Sequence, residues 1–267
     1  MKLLSISVVS HGQWALVKSL LTDIFQYCAS SDWGIEILLT LNIPESVSPV
    51  QIQTYCCKVR GSDIKIIQNM RPQGFGANHN SAFVQSTGDW FCVVNPDIRL
   101  KANPFDSLLN EARPGVGLLA PGVLNPQNSW EDSARKFPTI GGLIHKLTAK
   151  ICKKPLATDY PMGRQPFSPD WVAGMFLLMP RQVFAECGGF DTRYFLYYED
   201  VDLCARLWLG GKKVVLCPRV TVIHAAQRSS HRNLKYSQWH LCSLVRYFAS
   251  GVGRRAGRLR AKAEGLG

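Results

Sequence analysis

Acidic residues are scarce in this sequence: 19 Asp and Glu stand against 31 Lys and Arg, giving a formal net charge of +12. That balance predicts attraction to nucleotide phosphates, a lipid surface or nucleic acid, and charge alone does not choose among them. There is no CxxC pair of the kind that builds zinc sites, and nine cysteines is an odd number for a disulfide framework. Buried free thiols in a reducing cytoplasm are therefore expected. The amino terminus, Met1 to Ser10, has one Lys, a short apolar run and no small-residue cleavage site, so it does not read as a signal peptide. The longest apolar stretch, Trp171 to Pro180, is too short to span a bilayer, so membrane contact is expected to be peripheral. No internal repeat is visible. What the sequence does have is 267 residues that are 46% hydrophobic, enough to bury a sizeable core in one unit.

The order of apolar patterns predicts the layout. Leu3 to Val9 reads as a strand that turns through Ser10, His11 and Gly12 into a helix marked by Trp14, Val17, Leu21, Ile24 and Cys28. Ile35 to Leu41, Ile64 to Ile67 and Trp90 to Val94 read as further strands, with a helix over Ala77 to Gln85. Alternating strands and helices predict a mostly parallel sheet with helices on both faces, which gathers ligands at the carboxyl ends of its strands. Ser10, His11, Asn42 and Asp97 fall at such ends. Gly115 to Pro169, rich in Pro, Gly and Asn with a basic stretch from Lys146 to Lys154, reads as a looser connecting region. Strands are expected again at Val214 to Cys217 and Val220 to Ile223, then a helix over Tyr236 to Phe248 and a basic tail, Arg254 to Lys262, expected as a solvated end that lies against anionic lipid. The chain is thus read as one domain over 1–250, with a ligand-binding half at 1–100, a second half at 115–230, and the tail at 251–267.

Four segments can carry chemistry. Val93 to Asp97 is a buried-type strand ending in a carboxylate, a position that suits Mg²⁺ or Mn²⁺ held mainly by a diphosphate; Asn-Pro-Asp is also an ordinary turn. Glu199, Asp200 and Asp202 follow the aromatic run Tyr194 to Tyr198 at a helix amino terminus. The helix dipole alone favours acids there, but a carboxylate beside an apolar wall is also the usual means of deprotonating a hydroxyl. His224 follows a strand and precedes a loop with Arg228, Ser229 and Ser230, which fits either a packed histidine or a ligand. Gln73 to Asn80 contains Gly-x-Gly, but His79 stands where a dinucleotide fingerprint takes Gly or Ala, so a Rossmann oxidoreductase site is rejected. Its glycines can still admit a phosphate or sugar, and a plain turn fits equally.

Taken in order, Ser5 to Gly12, Gly74 to Asn80, Asn95 to Asp97, Ser133 to Thr139, Trp171 to Pro180, Gly188 to Arg206 and His224 resemble the inverting family 2 glycosyltransferases of GT-A fold. Within that family the chain resembles bacterial rhamnosyltransferases of O-antigen and cell-wall assembly. The resemblance implies that Asp97 binds a divalent metal, Mg²⁺ or Mn²⁺, on the donor diphosphate, with His224 completing that site. It implies Asp200 as the base, with Glu199 and Asp202 orienting it or the acceptor. Ser10, His11, Thr40 and Asn42 match the strand ends that hold base and ribose, Gly74, Asn78 and Asn95 the donor loops, and Arg135 a segment that approaches the donor. Trp171, Ala173 and Gly174 match the acceptor side. Two positions depart from the pattern: Asn95 replaces the first acid of the metal motif, and Leu41 replaces the acid usual after the second strand.

The implied activity is transfer of L-rhamnose from dTDP-L-rhamnose to a lipid-linked saccharide. It would take place at the inner face of the cell membrane, through peripheral contact with anionic lipid by a cytoplasmic protein. The same fold using a UDP-hexose, a GDP-sugar or dTDP-fucose is the first alternative. A basic membrane or nucleic-acid module is the second. Nucleic acid is disfavoured because aromatic and basic residues are not interleaved as in a known module.

Overall fold

A computed structural model describes residues 2–58, 62–225 and 234–263. The first half alternates as its hydrophobic pattern requires. Strands β1 (Leu3–His11), β2 (Gly34–Ile43), β3 (Ser62–Gln68) and β4 (Trp90–Val94) are separated by helices α1 (Trp14–Tyr27), α2 (Pro49–Lys58) and α3 (Phe75–Gln85). Neighbours β3, β2, β1 and β4 all pair in parallel, which only crossover helices allow. After β4 come the two-residue β5 (Ile98–Arg99), the short helix α4 (Pro104–Leu109) and β6 (Val116–Leu124). A small hairpin-like pair, β7 (Ala134–Arg135) and β8 (Trp171–Val172), flanks α5 (Ile140–Ile151). The chain continues through β9 (Phe176–Pro180), α6 (Arg181–Glu186), α7 (Glu199–Leu209), β10 (Lys213–His224), α8 (Leu234–Ser250) and α9 (Val252–Ala263).

Eight strands form one sheet in the order β3-β2-β1-β4-β9-β6-β10-β5. β9 is antiparallel to both β4 and β6, while β10 is parallel to β6. The expected α/β architecture, a mostly parallel sheet with helices on both faces, is therefore observed. Strand alternation divides the core in two: Leu4, Ile6 and Val8 pack with Val17, Leu20, Leu21 and Ile24 of α1 on one face. Phe91, Val93, Leu177 and Met179 pack with Val201, Leu203 and Leu207 of α7 on the other. Each such side chain contributes roughly 1.5–3 kcal/mol when fully buried, so the sheet is clamped from both sides.

Three expectations change. The region from Gly115 to Pro169 is not simply a connection: it supplies β6, a buried central strand, and α5. The two strands expected between Val214 and Ile223 are one, β10, with an irregularity between Cys217 and Thr221 where Pro218 interrupts the ladder. The basic segment from Arg254 to Lys262 is not a solvated end but helix α9, which buries Val252, Ala256 and Arg260. Arg260 pairs with Asp170, donates to the Ser168 carbonyl, and lies over the Trp208 ring at 4.4 Å. All nine cysteines are free; five are buried, whereas Cys57, Cys152 and Cys242 are exposed and Cys187 is intermediate.

Candidate active site

The turn after β4 and the end of β10 meet because β5 pairs Ile98 with His224. This brings Asp97 Oδ2 to 3.1 Å from His224 Nε2, while His224 Nδ1 lies 2.8 Å from Glu131 Oε2. Burial alone would lower the His224 pKa, but the hydrogen bonds and charges of Asp97 and Glu131 push it up to about 9. The other Asp97 oxygen, Oδ1, is buried and has no hydrogen-bond partner among the described residues. The unused buried oxygen of Asp97 beside an imidazole nitrogen is donor chemistry that suits a divalent ion, which would take Nε2 once that nitrogen gives up its proton, with Nδ1–H kept on Glu131. Because Glu131 binds the far ring nitrogen, only Asp97 and His224 converge. Among the described residues no group of three or more His, Cys, Asp and Glu forms a metal site by itself. The pair fits a metal whose remaining ligands come from a diphosphate and water. Glu131 has no signal in the sequence; it joins the pair because the loop after β6 turns back on that strand, with Glu131 N–H donating to the Val123 carbonyl (2.8 Å). The loop with Arg228, Ser229 and Ser230 lies outside the described residues.

Asn95 and Asp200 are joined through consecutive residues of the turn between β8 and β9. The Asn95 amide donates to the Met175 carbonyl (2.9 Å). The Gly174 amide donates to Asp200 Oδ2 (2.9 Å), and Val201 N–H donates to Asp200 Oδ1 (2.8 Å). Burial pushes Asp200 above the usual carboxylate range, against the lowering effect of those amides and of the Arg135 charge. Beside it, Glu199 is pushed well above that range by burial and by Asp200, and its Oε2 has no partner among the described residues. Asp202 is turned elsewhere: it is buried and bonds Arg206 (2.7 Å), which also donates to the Cys187 carbonyl. The turn entering α7 holds Tyr197 at φ 72° and Tyr198 at φ 67°, a left-handed geometry costing roughly 1–2 kcal/mol per residue. Strain of this size persists where surrounding contacts fix the chain, and here it sets the direction of the two acids.

Glu199 and Asp200 line a cleft of about 930 Å³ that is also walled by Arg135, Trp171, Lys146, His240, Tyr247, Arg254 and Arg258. Trp171 pairs with Arg135 across β7 and β8, its ring 5.6 Å from the guanidinium, and its indole N–H donates to the Lys136 carbonyl. Ala173 donates its amide to the Ser133 carbonyl, which fixes the turn carrying Gly174. Asp97 and His224 do not line this cleft.

The expected donor residues lie at the ends of β1 and β2. Asn42 Oδ1 accepts from Gln73 N–H (2.7 Å) and from Asn69 Nδ2 (2.8 Å), and Asn69 Nδ2 also reaches Asn78 Oδ1 (2.6 Å). Asn42 is within 3.2 Å of His11 Nδ1, and Ser10 Oγ accepts from Gln13 N–H. Thr40 Oγ1 is buried without a partner among the described residues. Asn42 and Asn78 therefore fasten the loop 69–74 to the sheet, a network in which Asn69 was not foreseen. Gly74 and Gly76 serve close packing: a Cβ would fall 2.6 Å from the Phe195 carbonyl oxygen and 2.6 Å from Phe190 Cβ, respectively. The glycine loop thus docks α3 on the segment that leads into Glu199 and Asp200.

No protein-family model matches the chain. Over 152 residues, 54% of this chain, it is 37% identical to the N-acetylglucosaminyl-diphospho-decaprenol L-rhamnosyltransferase of Mycobacterium tuberculosis, spanning 50% of that protein's length. It is 27% identical over 260 residues to rhamnosyltransferase WbbL of Escherichia coli (strain K12), covering 91% of this chain and 92% of WbbL. Among solved structures it is similar to GalNAc-T7 with UDP, GalNAc and Mn²⁺, at a TM-score of 0.67 and 15% identity, covering 86% of this chain and 44% of that one. A mannosyltransferase of Pyrobaculum calidifontis in complex with GDP-Man and Mn²⁺ gives a TM-score of 0.63 at 15% identity, covering 93% of this chain and 64% of that one. The chain has the GT-A fold of the glycosyltransferases and is similar in sequence to bacterial rhamnosyltransferases.

Proposed function

We propose that the protein is an inverting glycosyltransferase that moves L-rhamnose from dTDP-L-rhamnose to a hydroxyl of a lipid-linked saccharide, at the cytoplasmic face of the membrane. The observation that carries this reading is the turn at Gly174 and Met175, which bonds the candidate base Asp200 with one residue and the candidate metal loop, through Asn95, with the next. A base and a leaving-group site on one rigid turn are what a single in-line displacement needs. Similarity to two proteins named as L-rhamnosyl or rhamnosyltransferases, one of them acting on a diphospho-decaprenol, supports the sugar and the lipid-linked acceptor.

In this reading the acceptor lies in the cleft against Trp171 and the Tyr197–Tyr198 wall, its hydroxyl on Asp200. Asp200 takes the hydroxyl proton as the acceptor oxygen bonds the anomeric carbon. The bond from that carbon to the diphosphate breaks with its electron pair on dTDP, and the configuration inverts. Glu199, whose affinity for a proton is raised by burial and by the Asp200 charge, can when protonated donate a hydrogen bond without competing for the acceptor's proton. Arg135 lines the cleft with the two acids and adds positive charge as the leaving group forms. Asp97 and His224 would hold Mg²⁺ or Mn²⁺, which supplies Lewis-acid neutralisation of the diphosphate. Lys146, Arg254 and Arg258 at the cleft suit the diphosphate of a lipid-linked acceptor.

The test is dTDP release from dTDP-L-rhamnose with a GlcNAc-diphospho-lipid analogue, with and without Mg²⁺. Release that requires acceptor and metal is expected. Turnover with a UDP- or GDP-sugar instead would keep the transferase and overturn the rhamnose reading, and silence with every donor would overturn both.

A further inference from the structure

Helix α5 is amphipathic in the wrong sense for a helix that packs on its own protein. At 3.6 residues per turn, Ile140, Ile144, Leu147 and Ile151 fall within about 60° of one another. Those four side chains are 66%, 58%, 59% and 72% exposed, respectively. The residue that α5 buries, Ala149, sits on the opposite side, and Ile140, Gly142, Leu143 and Lys146 line the cleft. The apolar stripe thus starts at the rim of the cleft with Ile140 and continues through Ile144, Leu147 and Ile151, which do not line it. Thr139 caps the helix through its side chain to Gly142 N–H, so α5 is formed without needing that stripe covered.

The charge around the stripe says what covers it. From Ser133 to Thr158 the chain has six cations, Arg135, Lys136, Lys146, Lys150, Lys153 and Lys154, and no Asp or Glu. Lys150, Lys153 and Lys154 are exposed at the end of the helix. An apolar stripe beside long-stemmed cations matches a bilayer interface, where the stripe enters the acyl boundary and the ammonium groups reach anionic headgroups. Arg135 is paired with Asp132 and Lys146 with Asp159. The charge beside the stripe is therefore chiefly that of the lysines at the helix end, which a protein partner of ordinary surface would leave crowded in the interface. Helix α8, which lines the same cleft through His240, Tyr247 and Phe248, also exposes Leu241 (60%) and Val245 (61%).

We infer that α5 is a membrane-docking helix that lies in the surface of an anionic bilayer, with the acceptor cleft opening beside it. The inference deepens the proposed function and rests on it only for the lipid tail of the acceptor. It moves the expected membrane contact from the carboxyl-terminal basic segment, which is packed on α7, to α5.

The experiment is flotation of the full chain with phosphatidylglycerol-rich vesicles and with neutral phosphatidylcholine vesicles. Binding to the anionic vesicles is expected. An I144E/L147E/I151E variant should bind at least about tenfold more weakly, since each apolar side chain removed from the interface forfeits of order 1 kcal/mol. A K150E/K153E variant should lose the preference for anionic vesicles. None of these residues lines the cleft, so melting temperature and turnover of a water-soluble acceptor should be unchanged. Vesicle binding that survives both variants overturns the inference. So does sedimentation showing that the stripe variant only breaks a dimer while the wild type ignores vesicles. Absence of turnover with vesicle binding as expected leaves the docking helix standing and removes the transfer reading.

Discussion

Both oxygens of Asp200 are held by backbone amides, so the side chain has one orientation while burial raises its affinity for a proton. Asp200→Asn keeps the size but cannot accept the acceptor's proton. Turnover should fall roughly 10²–10⁴-fold, while dTDP affinity by calorimetry stays that of the wild type; equal losses in both would make Asp200 a structural residue. The wild-type rate should fall with acid through a pKa above the ordinary Asp value of about 3.9, because protonation removes the base. Glu199 behaves in the opposite sense for stability. Its folded pKa is raised, so its contribution is fully present below the unfolded Glu pKa of about 4.3 and is lost as pH rises through the folded value. Glu199→Gln should therefore melt like the wild type in acid and at higher temperature than it near neutrality, as thermal melts across pH will show. These two acids were legible in sequence because they follow five residues of which four are aromatic. Glu131 and Asn69 were not, since each takes its meaning from a partner distant in the chain, His224 and Asn42 respectively.

At the scale of elements, composition misled where periodicity did not. Arg254 to Lys262 is rich in Arg and Gly, yet Val252, Ala256 and Arg260 recur every four residues and share one buried face of α9. Arg260 carries an ion pair into that face, with its side chain 8% exposed and that of Asp170 18% exposed. Removing one member of such a pair leaves a charge in a dry place, so Arg260→Met should cost about 3 kcal/mol in urea unfolding. A cost near zero would mean that α9 is held by Val252 and Ala256 alone. β6 was hidden for a related reason: Gly117, Pro121 and Gly122 read as punctuation, although Leu118, Leu119, Ala120 and Val123 are buried in the middle of the sheet. Pro121 is accommodated where the β6–β10 register shifts, at the irregularity after Cys217.

Over the whole molecule, the parallel half of the sheet follows from local alternation, because each crossover helix places the next strand beside a neighbour. The insertion of antiparallel β9 between β4 and β6 does not, since it pairs segments more than fifty residues apart in sequence. That insertion nevertheless builds the site: β9 starts next to the turn at Gly174 and Met175, so the base on α7 and the Asp97–His224 pair are set by the same sheet. Donor binding should then register as stability of the whole fold. A ligand that binds only the folded chain stabilises it by about 2.7 kcal/mol at one hundred times its Kd. dTDP with Mg²⁺ should raise the wild-type melting temperature, and EDTA should abolish the metal-dependent part. Asp97→Asn should lose that part as well, because the substitution removes the negative charge that an ion would meet, while Asp200→Asn should keep it. A full metal-dependent shift in Asp97→Asn would take Asp97 out of the donor site. It would leave the Asp97–His224–Glu131 contacts as a fold-stabilising ion network at the end of β10.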